Sequence, residues 1–351
     1  MSLPARAAVP SVEAAFAAIV DGDLARAIAI YRALLRKSPR DGVLHNALGQ
    51  LLLLTGDFAQ GWEECEWRAQ RPMPMARWRG AALKGERILI HGEQGFGDNF
   101  QFVRYATLVA GRGGRVVVGA RQGMRPLLAT VPGVADVIEE GESVGAVQWH
   151  IPMLSLPYVF ATRLDSIPAA IPYIAADPAA AERWHARLGA AASLRVGLVW
   201  SGNTEAIYNT RRSPGLAAYA PLFDCPGVRF YGLQMGGGRK DLEGARLPET
   251  FTDLGPQLPS FSETAAAMMA LDLVITPCTS TAHLAGALGR PVWVVLGVDP
   301  DWRWLLDRDT SPWYPTARLF RRPRGAPDWR DPVTRMRDAL DALADRKAAV
   351  I

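Results

Sequence analysis

Apolar positions along this chain recur with two different periods, and the change from one to the other divides it. Through residues 11–20, 24–37, 42–54 and 58–70 they fall three and four apart, the spacing of one face of an α-helix. Between 72 and 85 that periodicity fails. Short apolar runs then follow at 88–91, 115–119, 135–139 and 147–152, and these predict buried strands of a parallel sheet, with residues 100–110 as a helical crossover. A proline-rich stretch at 167–178 and a helix at 179–188 lead into a second series of runs at 195–200, 228–234, 250–254, 273–276, 292–296 and 316–321. The pattern therefore encodes two consecutive α/β units. A last helix, 332–347, carries one heavily charged face and is expected to pack on one side only.

The helical start is repetitive. Gly22-Asp23 recurs as Gly56-Asp57, 34 residues on, each pair between two helical patterns. The segment resembles the tetratricopeptide family, with Ala27, Tyr31 and Pro39 at its small, aromatic and terminating positions in the first repeat and Leu48 and Gly49 matching in the second; Gly61, Cys65 and Met73 depart from it. Two repeats leave an apolar end that longer arrays cover, so this segment is expected to dock on the rest of the chain.

Composition narrows the class without choosing a substrate. Of 351 residues, 49% are hydrophobic and 21% charged, which excludes a largely disordered or disulfide-scaffold protein. A formal charge of +4 is too small at this length to make nucleic acid an obligatory partner. All basic residues but Lys37, Lys84, Lys240 and Lys347 are arginines, which suits bidentate recognition of phosphate or carboxylate, or reflects codon usage. Cys65, Cys225 and Cys278 are odd in number, widely separated and without histidines at metal-ligand spacing, which fits a reducing compartment. With no signal-peptide pattern and no apolar run near the roughly 18 residues of a membrane span, the expectation is a cytoplasmic protein whose membrane contact, if any, is peripheral to the inner face.

In open α/β sheets, ligands bind beyond the carboxyl ends of strands, so the candidate chemistry is sought there. After the first strand of the first unit stand Gln94, Gly95, Phe96, Gly97 and Asp98 at a helix start. This loop is neither a dinucleotide fingerprint, which needs a third glycine where Phe100 stands, nor a P-loop, which needs lysine where Asp98 stands. An aspartate there either caps the helix or accepts a proton. The second unit offers Ser201, Gly202 and Asn203, then Arg211 and Arg212, then Gln234 and the stretch 236–240, as donors for a diphosphate. Thr279, Ser280 and Thr281 begin a further helix, where hydroxyls and free N–H groups suit an anion; His283, one turn on, either faces a ligand or is a satisfied core histidine. Asp299-Pro300-Asp301 spells a DxD pattern, but with Trp302, Arg303 and Trp304 it reads as a turn and packing cluster, and no metal is assigned. Trp302, Trp304 and Trp313 are expected to pack in the interior.

The stretch 88–105 with Gly97-Asp98, the loop 200–203, and 279–289 followed by 291–300 together resemble the heptosyltransferase-like glycosyltransferases of family 9, which have the GT-B fold; the likeness covers about residues 85–345. It implies an α/β pair of Rossmann-like domains with parallel sheets facing a cleft, preceded by the small all-α segment. The implied boundaries are 1–75 for the helical repeats, 76–178 for the acceptor side, 179–330 for the nucleotide-sugar side and 331–351 for the last helix. Asp98 matches the family's catalytic aspartate, while Thr279, Ser280 and His283 fall in its Asp-Thr-Gly-x-x-His donor motif. Here the leading aspartate is Cys278 and the glycine is Ser280. The activity implied is metal-independent inverting glycosyl transfer without a cofactor, from a nucleotide-sugar donor to a glycan, lipid-linked glycan or protein acceptor, with Asp98 as general base and closure of the halves across the linker near Pro178. A non-catalytic scaffold with a degenerate transferase body and a nucleotide-sugar epimerase are the alternatives.

Overall fold

The computed structural model describes residues 10–189, 193–206 and 209–349. Its first four helices are α1 (Val12–Asp21), α2 (Leu24–Lys37), α3 (Gly42–Leu54) and α4 (Phe58–Cys65). The repeated Gly-Asp pair has a mechanical meaning. Gly22 and Gly56 take φ of 85° and 90°, the left-handed conformation that ends a helix cheaply only at glycine, and Asp23 and Asp57 then accept the free N–H groups of Arg26 and Gln60 at the next helix start. The helix expected over 58–70 stops at Cys65, because the polar residues beyond it are drawn into a network with the first lobe. Glu66, Arg68, Gln70 and Arg77 bond one another, and Arg68 reaches Ser155 at 2.9 Å and Glu93 at 2.7 Å.

The first lobe is a five-stranded parallel sheet of β1 (Ala76–Arg77), β2 (Arg87–His91), β3 (Arg115–Ala120), β4 (Val134–Glu139) and β5 (Trp149–Pro152), in the order β1-β5-β2-β3-β4. Short helices α5 (Phe96–Phe102), α6 (Ala106–Gly111), α7 (Arg125–Leu128) and α8 (Leu156–Val159) connect it. The crossover expected at 100–110 starts four residues earlier and is interrupted by a 3-10 turn at Val103–Tyr105. After α9 (Pro178–Leu188) the second lobe contains β6 (Leu194–Leu198), α10 (Asn209–Arg212), β7 (Val228–Gly232), β8 (Phe251–Asp253), α11 (Phe261–Met269), β9 (Leu273–Pro277), α12 (Ser280–Ala287), β10 (Val292–Leu296), β11 (Ala317–Arg321) and α13 (Arg330–Ala348).

The six strands of the second lobe run parallel in the order β11-β10-β9-β6-β7-β8, which counted from its own first strand is the Rossmann order. The order reverses between β6 and β9 there, and between β2 and β5 in the first lobe. Switch points of this kind are where open α/β sheets generally bind their ligands. Every residue of β9 and β10 is buried, as strands covered by helices on both faces must be, which is why they read as apolar runs broken only by Thr276.

The lobes are packed together. Phe96 and Phe100 of α5 lie 4.8 and 5.1 Å from Phe261 of α11, and one continuous core runs from the first sheet through α12 to Trp313. The helical segment docks on both, as its bare apolar end requires. Trp62 of α4 is 3% exposed, donates its indole N–H to the Thr162 carbonyl at 3.0 Å, and meets Trp302 edge-on at 5.2 Å. No described helix is long and apolar enough to cross a membrane.

Candidate functional site

The loop leaving β2 at the first switch point brings Asp98 to the first turn of α5, against the second lobe. Its Oδ2 accepts the Gly95 N–H at 2.8 Å, the capping role. Its Oδ1 pairs with the Arg303 guanidinium from the second lobe. The capping reading of this residue is thus seen directly, and its side chain also stands at the interface, 15% exposed. Gly97 makes the approach possible, since a Cβ there would stand 2.8 Å from Cδ2 of His283 on α12. Beside Arg303 lies a cavity of about 90 Å³ walled by Asn46 and Gln50 of α3, Arg68 and Gln94, so the helical segment and both lobes share it.

At the second switch point the loop after β6 faces the start of α12. Thr279 takes the extended backbone of an N-terminal cap, but its hydroxyl bonds Thr276 Oγ1 at 2.9 Å and no side chain caps the helix. The Ala282 N–H is met by the Thr279 carbonyl at 3.1 Å, but the Ser280 and Thr281 N–H groups have no protein acceptor among the described residues, and both residues stand half-buried. Arg212 lies across Gly202, its Nη2 2.7 Å from where a Cβ on that glycine would be, and its charge is felt at the Cys278 thiol. The Arg212 Nε is buried without a hydrogen-bond partner among the described residues. Burial pushes Cys278 up to about 11, so a neutral thiol stands where the resembled motif has a carboxylate; its Sγ accepts the Trp304 indole N–H at 3.1 Å.

Several expected donor residues are occupied otherwise. Gln234, buried, accepts the N–H groups of Trp200 and Ser201 at 3.1 and 2.9 Å and donates to the Met235 carbonyl, so it ties two strand ends together instead of offering its amide to a ligand. Ser201 bonds Asn209 and the Gly202 carbonyl; Asn203 accepts the Glu205 N–H. Arg211 is drawn outward into an ion pair with Asp299, beside Phe16 of α1, and away from Arg212 in role. His283 is a buried histidine held through Nδ1. It is 5% exposed, shares a 2.9 Å hydrogen bond with the Tyr314 hydroxyl, and stacks on Trp304 at 5.6 Å; burial, then the Arg303 charge, hold it down to about 3. Phe96 packs on Phe261 under the Arg121 guanidinium, leaving Gln94 and Gly95 as the exposed part of its loop. Trp302, Trp304 and Trp313 are buried packing residues.

What the sequence did not disclose is the pair of arginines that cross the interface. Arg104 of the first lobe, buried, donates to the carbonyls of Trp313 and Gln101 and to the Tyr173 hydroxyl, each at 2.8 Å, and lies over the Tyr314 ring. Arg303 of the second lobe joins Asp301, Gln101 and Asp98. Burial opposes its charge, but Asp301 and Asp98 outweigh that and raise its pKa above the ordinary range. The one available signal was an arginine inside an aromatic run, since a buried guanidinium needs carboxylate or carbonyl partners.

With this geometry in view, the chain was compared with known proteins. No known family of protein sequences matches it. It is 28% identical over 341 residues to protein FlbA of Caulobacter vibrioides, a match covering 87% of this chain and 57% of that protein, so the chain spans little more than half the length of this curated relative. In structure it superposes on ADP-heptose LPS heptosyltransferase II of E. coli with a TM-score of 0.52 at 12% identity, covering 74% of this chain and 99% of that one. The glycosyl transferase family 9 protein of Veillonella parvula DSM 2008 gives a TM-score of 0.56 at 10% identity, covering 77% and 100%. At such identities the likeness establishes the fold: two parallel-sheet α/β lobes arranged as in these transferases, with a helical segment in front.

Proposed function

We propose that the protein is an inverting glycosyltransferase that moves a sugar from a nucleoside-diphosphate donor to an acceptor hydroxyl, with Asp98 as general base. The observation that carries this reading is that the two switch points meet at one interface, the first presenting a carboxylate and the second an uncapped helix start beside Arg212. The acceptor oxygen would lose its proton to Asp98 while attacking the anomeric carbon from the face opposite the diphosphate. Negative charge then grows on the leaving group and is met by the N–H groups and hydroxyls of residues 279–281 and by Arg212, protein donors in place of a bound divalent ion. That the E. coli neighbour is an ADP-heptose transferase supports an ADP-sugar as the first donor to try. In this reading a glycan, lipid-linked glycan or protein acceptor would approach Asp98 from the side of the cavity beside Arg303, one wall of which is α3 of the tetratricopeptide-like segment.

The test is to screen the purified chain against ADP-, UDP- and GDP-sugars for sugar release or transfer, with Asp98→Asn beside it. The variant should lose about 10²- to 10⁴-fold in turnover, the usual worth of a general base, while binding ADP within about threefold of wild type. Equal turnover would remove Asp98 from the mechanism. The neutral Cys278 thiol and the engagement of both Asp98 oxygens favour one second reading, a non-catalytic scaffold with a degenerate body. A scaffold of that kind would release no sugar and need not bind ADP at micromolar strength by calorimetry.

A further inference from the structure

The side chain that holds Asp98 comes from the opposite lobe and is itself held on every side. Arg303 is 8% exposed at its side chain. Its Nε donates to Gln101 Oε1 at 2.5 Å, its Nη1 to both oxygens of Asp301 at 3.0 Å, and its Nη2 to Asp98 Oδ1. The guanidinium lies 4.4 Å from the centroid of the Trp302 ring, which fixes its plane. Packing alone gives no reason for this arrangement, because a buried ion pair is generally no more stabilising than apolar side chains of the same volume, and the neighbours here, Phe102, Trp302 and Trp304, are apolar.

We infer that Arg303 is a positioning residue for sugar transfer: it orients the Asp98 carboxylate toward the acceptor hydroxyl and makes that orientation depend on the donor lobe. The inference rests on reading Asp98 as the base. An ionised carboxylate has about four lone-pair sites. The Gly95 N–H occupies one on Oδ2 and Arg303 one on Oδ1, which fixes the carboxylate plane and leaves the other sites for a hydroxyl at the exposed edge. Arg303 is also connected to the donor helix, because the next residue, Trp304, donates to Cys278 Sγ and stacks on His283 of α12. The base is thus aligned by the same loop that braces the start of the anion-binding helix, and misplacement of a reacting group by about 1 Å can cost a hundredfold in rate.

Three variants separate orientation from folding. Arg303→Lys keeps the charge but cannot reach Asp98, Asp301 and Gln101 together. Arg303→Met removes the charge, and the double variant Arg303→Met with Asp301→Leu removes it without leaving Asp301 unpaired. Turnover of the nucleotide sugar used by the wild type should fall about a hundredfold in both methionine variants, with KM and ADP affinity within about threefold, and Lys should recover part of the loss. Carbodiimide and glycinamide labelling of Asp98, read by peptide mass spectrometry, should rise at least about fivefold in the same two variants as the carboxylate is released, following the loss of its charge-assisted bond. Wild-type turnover in the double variant, or unchanged labelling of Asp98, overturns the inference. Asp98→Asn run in parallel keeps the two ideas apart: full turnover in that variant defeats the base reading, whereas its loss beside an active double variant defeats only the role of Arg303. If the wild type turns over no nucleotide sugar, the base reading falls and the role of Arg303 in transfer falls with it.

Discussion

At the first switch point the candidate side chain, Asp98, is bonded through both oxygens, whereas at the second Arg212 has a buried N–H without a partner among the described residues and α12 begins without a side-chain cap. Both crevices are built the same way, from a glycine-containing loop where a parallel sheet reverses its strand order. The difference is in what each leaves unsatisfied. A carboxylate that must take a proton from a defined direction gains from being fixed beforehand, while a site for a diphosphate keeps donors open for the ligand to fill. On the reading proposed above, the occupied residue would be the reactive one and the unsatisfied donors would mark the half that binds the diphosphate.

The sharpest way to break this comparison is a crossed pair of variants. Asp98→Asn should remove about 10²- to 10⁴-fold of turnover and spare ADP binding. Arg212→Ala should do the reverse, weakening ADP by about 10- to 100-fold in calorimetry, the worth of about 1.5–3 kcal/mol for a hydrogen bond to a charged group. If Arg212→Ala binds ADP as the wild type does, the unsatisfied arginine is not the phosphate ligand, and the assignment of the two halves fails at its second member.

A smaller effect tests the contact between them. Gly97→Ala places a methyl 2.8 Å from the His283 ring, which is wedged between Trp304 and Tyr314 and cannot swing aside. Overpacking of this kind costs about 1–3 kcal/mol, to be read as a lower urea midpoint at unchanged slope. Unaltered stability would mean that the lobes separate easily, as the hinged closure suggested by the sequence requires.

How much of this was legible follows from how local each cause is. Strands β9 and β10 announced themselves because burial on both faces leaves apolar residues everywhere but Thr276, and the Gly-Asp repeat because a left-handed turn and a helix cap both act within four residues. Helix α11 was missed because Ala265, Ala266, Ala267 and Met268 are all buried, so no polar face imposes a period; β1, two residues long, has no pattern to show. In the site, Asp98 and residues 279–281 were found from their places after strands. Gln234 sits in an equivalent place, yet its amide is taken by N–H groups of residues 33 and 34 positions away, and the Arg303–Asp98 pair spans 205 positions. No window of sequence contains either fact.

The smallest predicted effect compares the lobes through their buried histidines. Burial holds His283 down to about 3, and burial with the neighbouring His150 holds His91, at the end of β2, to about 4. Unfolded, either ring takes a proton near pH 6.5. Both therefore contribute stability that is present above about pH 6.5 and is lost as the pH falls toward the folded values, because the unfolded chain then binds protons that the folded one refuses. Each ring should steepen the decline by about 1.4 kcal/mol per pH unit between roughly pH 4.5 and 6, and His283→Gln or His91→Gln should flatten it by that amount in urea titrations. The comparison lies in how the two variants act. If the packed interface makes the lobes one cooperative body, each substitution shifts the same single transition; if the lobes unfold separately, His91→Gln alters one transition and His283→Gln the other, and the shared core from β2 to Trp313 does not bind them into one unit.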